Sequence, residues 1–227
     1  MPRFPYLLFD ADDTLFSFRE ADRCAFEAMC RACDLPFSNE LHERYRAHNS
    51  AVWTMFDRGE ATKEFIVLER FRRFFADIGV ERDVELANRV HLDTLATCSF
   101  PTPHSVEVVK TLSRTHHIFL ITNAVARVQR GRLARAEIRP YIEAAFISDE
   151  AGAQKPTRAF FDYVFSRIDG IRRDNALVIG DSLTSDMRGA VDYGLKSCWY
   201  NPEHAENTEQ IAVDFEIDDL RQLYDIV

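Results

Sequence analysis

Tyr6-Leu7-Leu8-Phe9-Asp10-Ala11-Asp12-Asp13-Thr14-Leu15-Phe16 is the stretch that decides the fold. Its apolar opening, Tyr6 to Phe9, has the length and composition of a buried strand, and it stops abruptly at three carboxylates, Asp10, Asp12 and Asp13. On an extended segment side chains two apart share a face, so Asp10 and Asp12 converge at the strand's carboxyl end. Open parallel sheets bind their ligands at that end. Two like charges held so close repel unless a cation neutralises them. A hard divalent ion with oxygen ligands does so, and Mg2+ held through a few carboxylates suits a phosphorylated substrate. An N-cap or acidic turn is the plainer alternative, but one Asp would serve it.

From Phe16 to Cys98 the chain reads as helix throughout. Arg19 to Cys33 carries Phe26, Met29, Cys30 and Cys33 on one face, so the Cys30-x-x-Cys33 pair reads as core, with no second Cys or His pair at zinc spacing. Ser38 caps a second helix bearing Asn49, Trp53, Met55 and Phe56 and ending at Gly59. Thr62 opens a third, with Phe65, Leu68, Phe71 and Phe75 as its apolar stripe, closed by Gly79, and Asp83 to Cys98 forms a fourth. These four helices are expected to form an inserted domain over residues 16–100. Phe100-Pro101-Thr102-Pro103 is a stiff linker back to the rest of the chain.

Beyond it the rhythm alternates. Helices are expected at Val106–Arg114, Arg127–Glu137, Thr157–Ile168 and Ser185–Tyr193, and strands at Ile118–Ile121, Ala145–Ile147, Ala176–Ile179, Ser197–Tyr200 and Val213–Ile217. Such alternation implies an α/β fold, a doubly wound, Rossmann-like parallel sheet formed by residues 1–15 and 101–227. Three clusters fall at strand ends or in the following loops: Thr122-Asn123, Gln154-Lys155-Pro156, and Gly180-Asp181 with Asp186 five residues on. Taken alone, Thr122 or Asn123 could be a helix cap and Lys155 a solvated charge.

Composition narrows the partners. At 227 residues and 46% hydrophobic the chain can bury a sizeable core, and its net charge of −9 argues against a nucleic-acid polymer. No apolar stretch reaches membrane-spanning length. Five scattered cysteines and a start unlike a signal peptide point to a reducing, cytoplasmic setting. A small phosphorylated substrate and a monomer or homodimer are expected.

In this order, Asp10-x-Asp12-x-Thr14, Thr122, Lys155-Pro156 and Gly180-Asp181-x4-Asp186 resemble the haloacid dehalogenase-like hydrolase superfamily over the whole chain, helical cap included. Finer features, among them Ile121-Thr122-Asn123 followed by Gln129 and Arg132-Leu133, resemble its bacterial pyrimidine 5'-nucleotidase branch, although Ala124 stands where that branch commonly has glycine. The resemblance implies Asp10 as nucleophile and Asp12 as general acid and base. It implies Mg2+ on the Asp10 carboxylate, the Asp12 carbonyl and Asp181. Thr122, Asn123, Lys155 and the amides of Ala11 and Asp12 would hold the phosphoryl group, with Asp186 orienting Lys155. The cap is expected to exclude water and to select the leaving group, and Phe16, Phe18, Asn49, Trp53 and Phe56 are its candidate contacts. A general sugar-phosphate phosphatase or a phosphomutase would share this machinery. A carbon–halogen hydrolase would not want Asp12, and a non-catalytic binding protein would have little use for the full set.

Overall fold

The computed structural model describes residues 2–227. Its sheet has six strands, all parallel: β1 (Tyr6–Phe9), β2 (His117–Thr122), β3 (Ala144–Ile147), β4 (Ala176–Gly180), β5 (Lys196–Tyr200) and β6 (Phe215–Ile217). Their order is β3-β2-β1-β4-β5-β6, so the chain reverses its direction of winding between β1 and β4. That is the doubly wound arrangement, and it leaves a crevice at the carboxyl ends of those two strands.

The strands are apolar on both sides because both faces of the sheet are covered. Leu7, Phe9, Ile118, Leu120, Leu177 and Ile179 enter one core with Val108, Val109, Leu112 and Leu133. Leu8, Phe119, Ile121 and Val178 enter the other with Phe160, Phe161, Val164 and Ala190. One residue of register separates the two sets, as the two-residue period of a strand requires.

The chain divides into two compact units, Met1–Phe18 with Ser99–Val227, and Arg19–Cys98. The second holds helices α1 (Phe18–Ala32), α2 (Asn39–Asp57), α3 (Lys63–Asp77) and α4 (Val84–Leu95), of which the first begins one residue before the division. Ser38, Thr62 and Asp83 cap the last three through their side-chain oxygens. Phe16, Ser17 and Phe18 group with the sheet unit rather than with the helices, where the sequence put them. Phe16 bridges Pro101, and the Ser17 amide donates to Phe100 O at 2.8 Å.

The helical unit corrects one stripe. Phe65 is exposed, and the buried face of α3 is Lys63, Ile66, Arg70, Phe71, Phe74 and Phe75. Arg70 is tolerated there because it bonds Asn49 Oδ1 and Asn88 Oδ1, both at 3.1 Å. Asp22 lies in the same unit and accepts from His42 at 2.8 Å and His91 at 3.0 Å, all three buried. Cys30 and Cys33 are buried free thiols, and burial pushes Cys30 up to about 12, which makes the pair inert.

In the sheet unit the remaining helices are α5 (Ser105–Leu112), α6 (Ala126–Arg135), α7 (Ser148–Ala151), α8 (Arg158–Phe165) and α9 (Arg188–Tyr193). The sequence places α7 in a loop; it is a single turn closed by Gly152 in the left-handed region. A π-turn, Leu183–Met187, precedes α9. No described helix is long and apolar enough to cross a membrane.

Candidate active site

Asp10 lies one residue past β1, and its amide still donates to Ile179 O on β4 at 2.8 Å. The carboxylate therefore stands at the crevice between these strands. It is 6% exposed. Lys155 Nζ donates to Asp10 Oδ1 at 2.5 Å, to Asp186 Oδ1 at 2.6 Å and to Ile121 O at 3.0 Å, so all three ammonium protons are used. A residue that could have been a solvated loop cation is 1% exposed at the centre of the site.

Two features aim it. Asn123 donates from Nδ2 to Lys155 O and accepts from Lys155 N on Oδ1, both at 2.9 Å. Asn123 thereby clamps the main chain of the lysine loop to the end of β2. The π-turn wraps Asp186 back toward β4, with its amide on Ser182 O at 3.1 Å. Gly180 permits that approach, since a Cβ there would sit 2.4 Å from Asp186 Cγ.

Asp10, Asp181 and Asp186 each offer an oxygen within 4.8 Å of the others. Trp199 Nε1 fixes the Asp181 carbonyl at 2.8 Å, and Thr14 Oγ1 reaches Asp181 Oδ1 at 3.4 Å. Three carboxylates face one ammonium. Burial pushes Asp10 up to about 8; Lys155 opposes this, and the charges of Asp186 and Asp12 add to it. Asp181 is likewise driven well above the carboxylate range by burial and then by Asp10. Burial works against the Lys155 ammonium, yet Asp10 and Asp186 outweigh it and hold its pKa above the usual value. The set is short of positive charge, and it is all hard oxygen. Both properties fit a small divalent cation.

Asp12 is turned elsewhere. Its Oδ1 is bonded to Arg132 Nη1 of α6, a pair that spacing alone does not reveal. Arg132 is 1% exposed and also donates to Gln129 Oε1 at 3.3 Å. Between the two carboxylates the chain turns on Ala11, whose carbonyl accepts from Leu15 N and Phe16 N at 3.0 and 2.8 Å. Asp13 stands in the left-handed region at φ 56° and its Oδ1 accepts from Phe18 N at 2.8 Å, so it shapes the loop. Thr122, buried at the end of β2, accepts from Ala124 N at 3.3 Å.

The expected leaving-group contacts fare differently. Phe16 is 1% exposed in the sheet core, with the Arg132 guanidinium 5.2 Å from its ring centroid, so it offers no face to a substrate. Asn49 is buried on Arg70, where the helical unit's polar network needs a partner for a buried guanidinium. Trp53 packs edge-to-face on Phe56 at 5.5 Å and is half-buried, as is Phe18.

A family model described as haloacid dehalogenase-like hydrolase matches residues 5–194. The chain is 31% identical to the HAD-hydrolase YfnB of Bacillus subtilis, over all of this chain and 97% of that one. It is 30% identical to the pyrimidine 5'-nucleotidase PynA of Streptococcus pneumoniae, over 98% and 94%, and 29% identical to the pyrimidine 5'-nucleotidase YjjG of Escherichia coli, over 97% and 96%. A crystal structure of YfnB bound to magnesium superposes with a TM-score of 0.94, covering 99% of both chains.

Proposed function

Because the chain belongs to the haloacid dehalogenase-like hydrolase family and is a phosphoric monoester hydrolase, we propose that it cleaves nucleoside 5'-monophosphates through an aspartyl-phosphate on Asp10, with Mg2+. The observation that carries the chemistry is the buried Asp10–Lys155–Asp186 chain beside Asp181. The nucleotide reading is supported by two relatives of nearly equal length, PynA and YjjG.

Lys155 holds Asp10 through Oδ1, which leaves the second oxygen to attack phosphorus. As that P–O bond forms, the ester P–O bond breaks and the departing oxygen takes a proton from Asp12. In the second half, Asp12 takes a proton from water, the water oxygen bonds to phosphorus, and the Asp10–phosphorus bond breaks. Thr122 offers its O–H to a phosphoryl oxygen, and the amides of Ala11 and Asp12 are the other candidate donors. Lys155 neutralises charge on the transferring group while Asp186 keeps it in place. The carboxylates of Asp10 and Asp181 and the Asp12 carbonyl would hold Mg2+, which would supply the remaining charge neutralisation when bound.

So many parts are needed because uncatalysed monoester hydrolysis demands accelerations up to ~10²¹-fold. Acid–base help gives only ~10²–10⁴-fold, so fixed charge must supply most of the rest. The test is a panel of nucleoside monophosphates, sugar phosphates and 4-nitrophenyl phosphate, with Mg2+ and with chelator. Preference for pyrimidine nucleotides is expected. Equal kcat/KM for nucleotides and sugar phosphates would leave a general phosphatase.

A further inference from the structure

Among the described residues, Arg132 is the one buried cation near the site to which neither the sequence nor the resemblance gives a role. It points from α6 toward the loop after β1, and its partners include Asp12 Oδ1, Gln129 Oε1 at 3.3 Å, and the face of Phe16 at 5.2 Å. Gln129 lies one turn earlier on the same helix face and is fully buried. Its Nε2 finds no hydrogen-bond partner among the described residues.

Stability alone does not explain this arrangement. Apolar side chains of similar volume often replace buried ion pairs with no loss, and an orphaned buried amide is itself unfavourable. The same helix face presents Val128 and Leu133 to the core, where apolar residues serve well. What Arg132 and Lys155 achieve together is a division. Lys155 bonds Asp10 and Asp186, whereas Arg132 bonds Asp12. Two carboxylates only two residues apart are thereby held by different cations on different elements.

We propose that Arg132 is a positioning residue for general acid–base chemistry, fixing the Asp12 carboxyl through Oδ1 so that Oδ2 is left to exchange a proton with the leaving group and with water. Gln129 and the Phe16 ring are its seat. Phe16 thus supports the acid through the guanidinium rather than stacking on a nucleobase. Each cycle moves one proton from Asp12 Oδ2 to the departing alkoxide and returns one from the attacking water. The inference rests on the proposed phosphatase reading, since it gives the acid of that reaction its orientation.

The test exploits the leaving group. A ribose 5'-oxygen needs protonation to depart, whereas 4-nitrophenolate leaves as an anion. R132Q is expected to lower kcat/KM for uridine 5'-monophosphate about 10²-fold, the low end of acid–base contributions, and for 4-nitrophenyl phosphate by less than about fivefold. In an Asp12→Asn background R132Q should cost the nucleotide less than about twofold more, because the two residues act as one unit. R132K, which keeps the charge and loses the fork, should show the same split at smaller size, and it carries the test if R132Q does not fold. Equal losses on both substrates, or additive losses in the double variant, would overturn the role and leave Arg132 a packing residue in a working phosphatase. A wild-type protein that hydrolyses neither substrate with Mg2+ overturns the phosphatase reading and this inference with it.

Discussion

Replacing Lys155 with methionine removes one ammonium from among three carboxylates, and the structure sets the scale of the damage. The contacts at 2.5 and 2.6 Å each contribute about 6 kcal/mol of attraction at an effective permittivity of about 20. Several kcal/mol per buried ion oppose this through lost hydration, so truncating one partner of such a cluster destabilises by about 3–5 kcal/mol. The remaining carboxylates have oxygens within 4.8 Å of each other, and Asp10 and Asp181 are already pushed toward the protonated form, so they take up protons rather than add a full ionic repulsion. Trp199, anchored on the Asp181 carbonyl, reports on this region, so the measurement is urea unfolding by fluorescence in a Trp53→Phe background. Lys155→Met is expected to lose about 3–5 kcal/mol. The exposed Lys196–Asp214 pair is the control, and Lys196→Met should lose at most about 1 kcal/mol. Equal small losses in the two variants would refute the claim that Lys155 holds a desolvated charge cluster together.

Other outcomes follow from the same geometry. Asp10→Asn should remove turnover and leave the circular dichroism spectrum unchanged; activity within about tenfold of wild type, only ~1.4 kcal/mol of barrier, would take the nucleophile's role from Asp10. Chelation should abolish activity and Mg2+ restore it, with Asp181→Asn needing much more metal; undiminished turnover in metal-stripped protein would refute this. Asn123→Ala leaves both main-chain polar groups of Lys155 without their partner, so a loss of about 1–3 kcal/mol is expected in urea unfolding, with a clear fall in kcat. His91 is buried beside Arg70, and burial first and Arg70 second lower its pKa to about 4. The folded form therefore stays neutral while the unfolded chain gains a proton below about pH 6.5, so stability should fall as pH drops from there toward 4, by at most about 1.4 kcal/mol per pH unit. A His91→Gln variant with the same pH slope would show that another group is responsible.

The sheet was legible because its strands are covered on both faces and so read as unbroken apolar runs, Leu7 to Phe9 and Ala176 to Ile179 among them. The first carboxylates and the glycine before Asp181 were legible because strand ends are where backbone order and polar side chains meet. The pairings made by Asn123 and Arg132 were not, since the partners lie 32 and 120 residues away and nothing in local spacing encodes them. Asn49 misled for the related reason that an amide looks the same whether it awaits a ligand or, as here, a buried guanidinium. Phe65 and Ile66 differ by one position, and the stripe follows Ile66 because α3 repeats its buried face at 63, 66, 70, 71, 74 and 75, a set that admits Lys63 and Arg70. A hydropathy pattern discounts charged residues and therefore shifts the face.

The bridge between Phe16 and Pro101 has a further consequence for how such a chain diversifies. To the sheet, everything between those residues is a single excursion whose ends are already tied together. The entropy of closing a loop grows only with the logarithm of its length, so an excursion of about eighty residues differs from one of about ten by about 2 kcal/mol. The knot at its base makes the excursion an exchangeable module: helices there can be lengthened, shortened or swapped while Asp10, Lys155 and Asp181, all on the sheet side of the knot, keep their places.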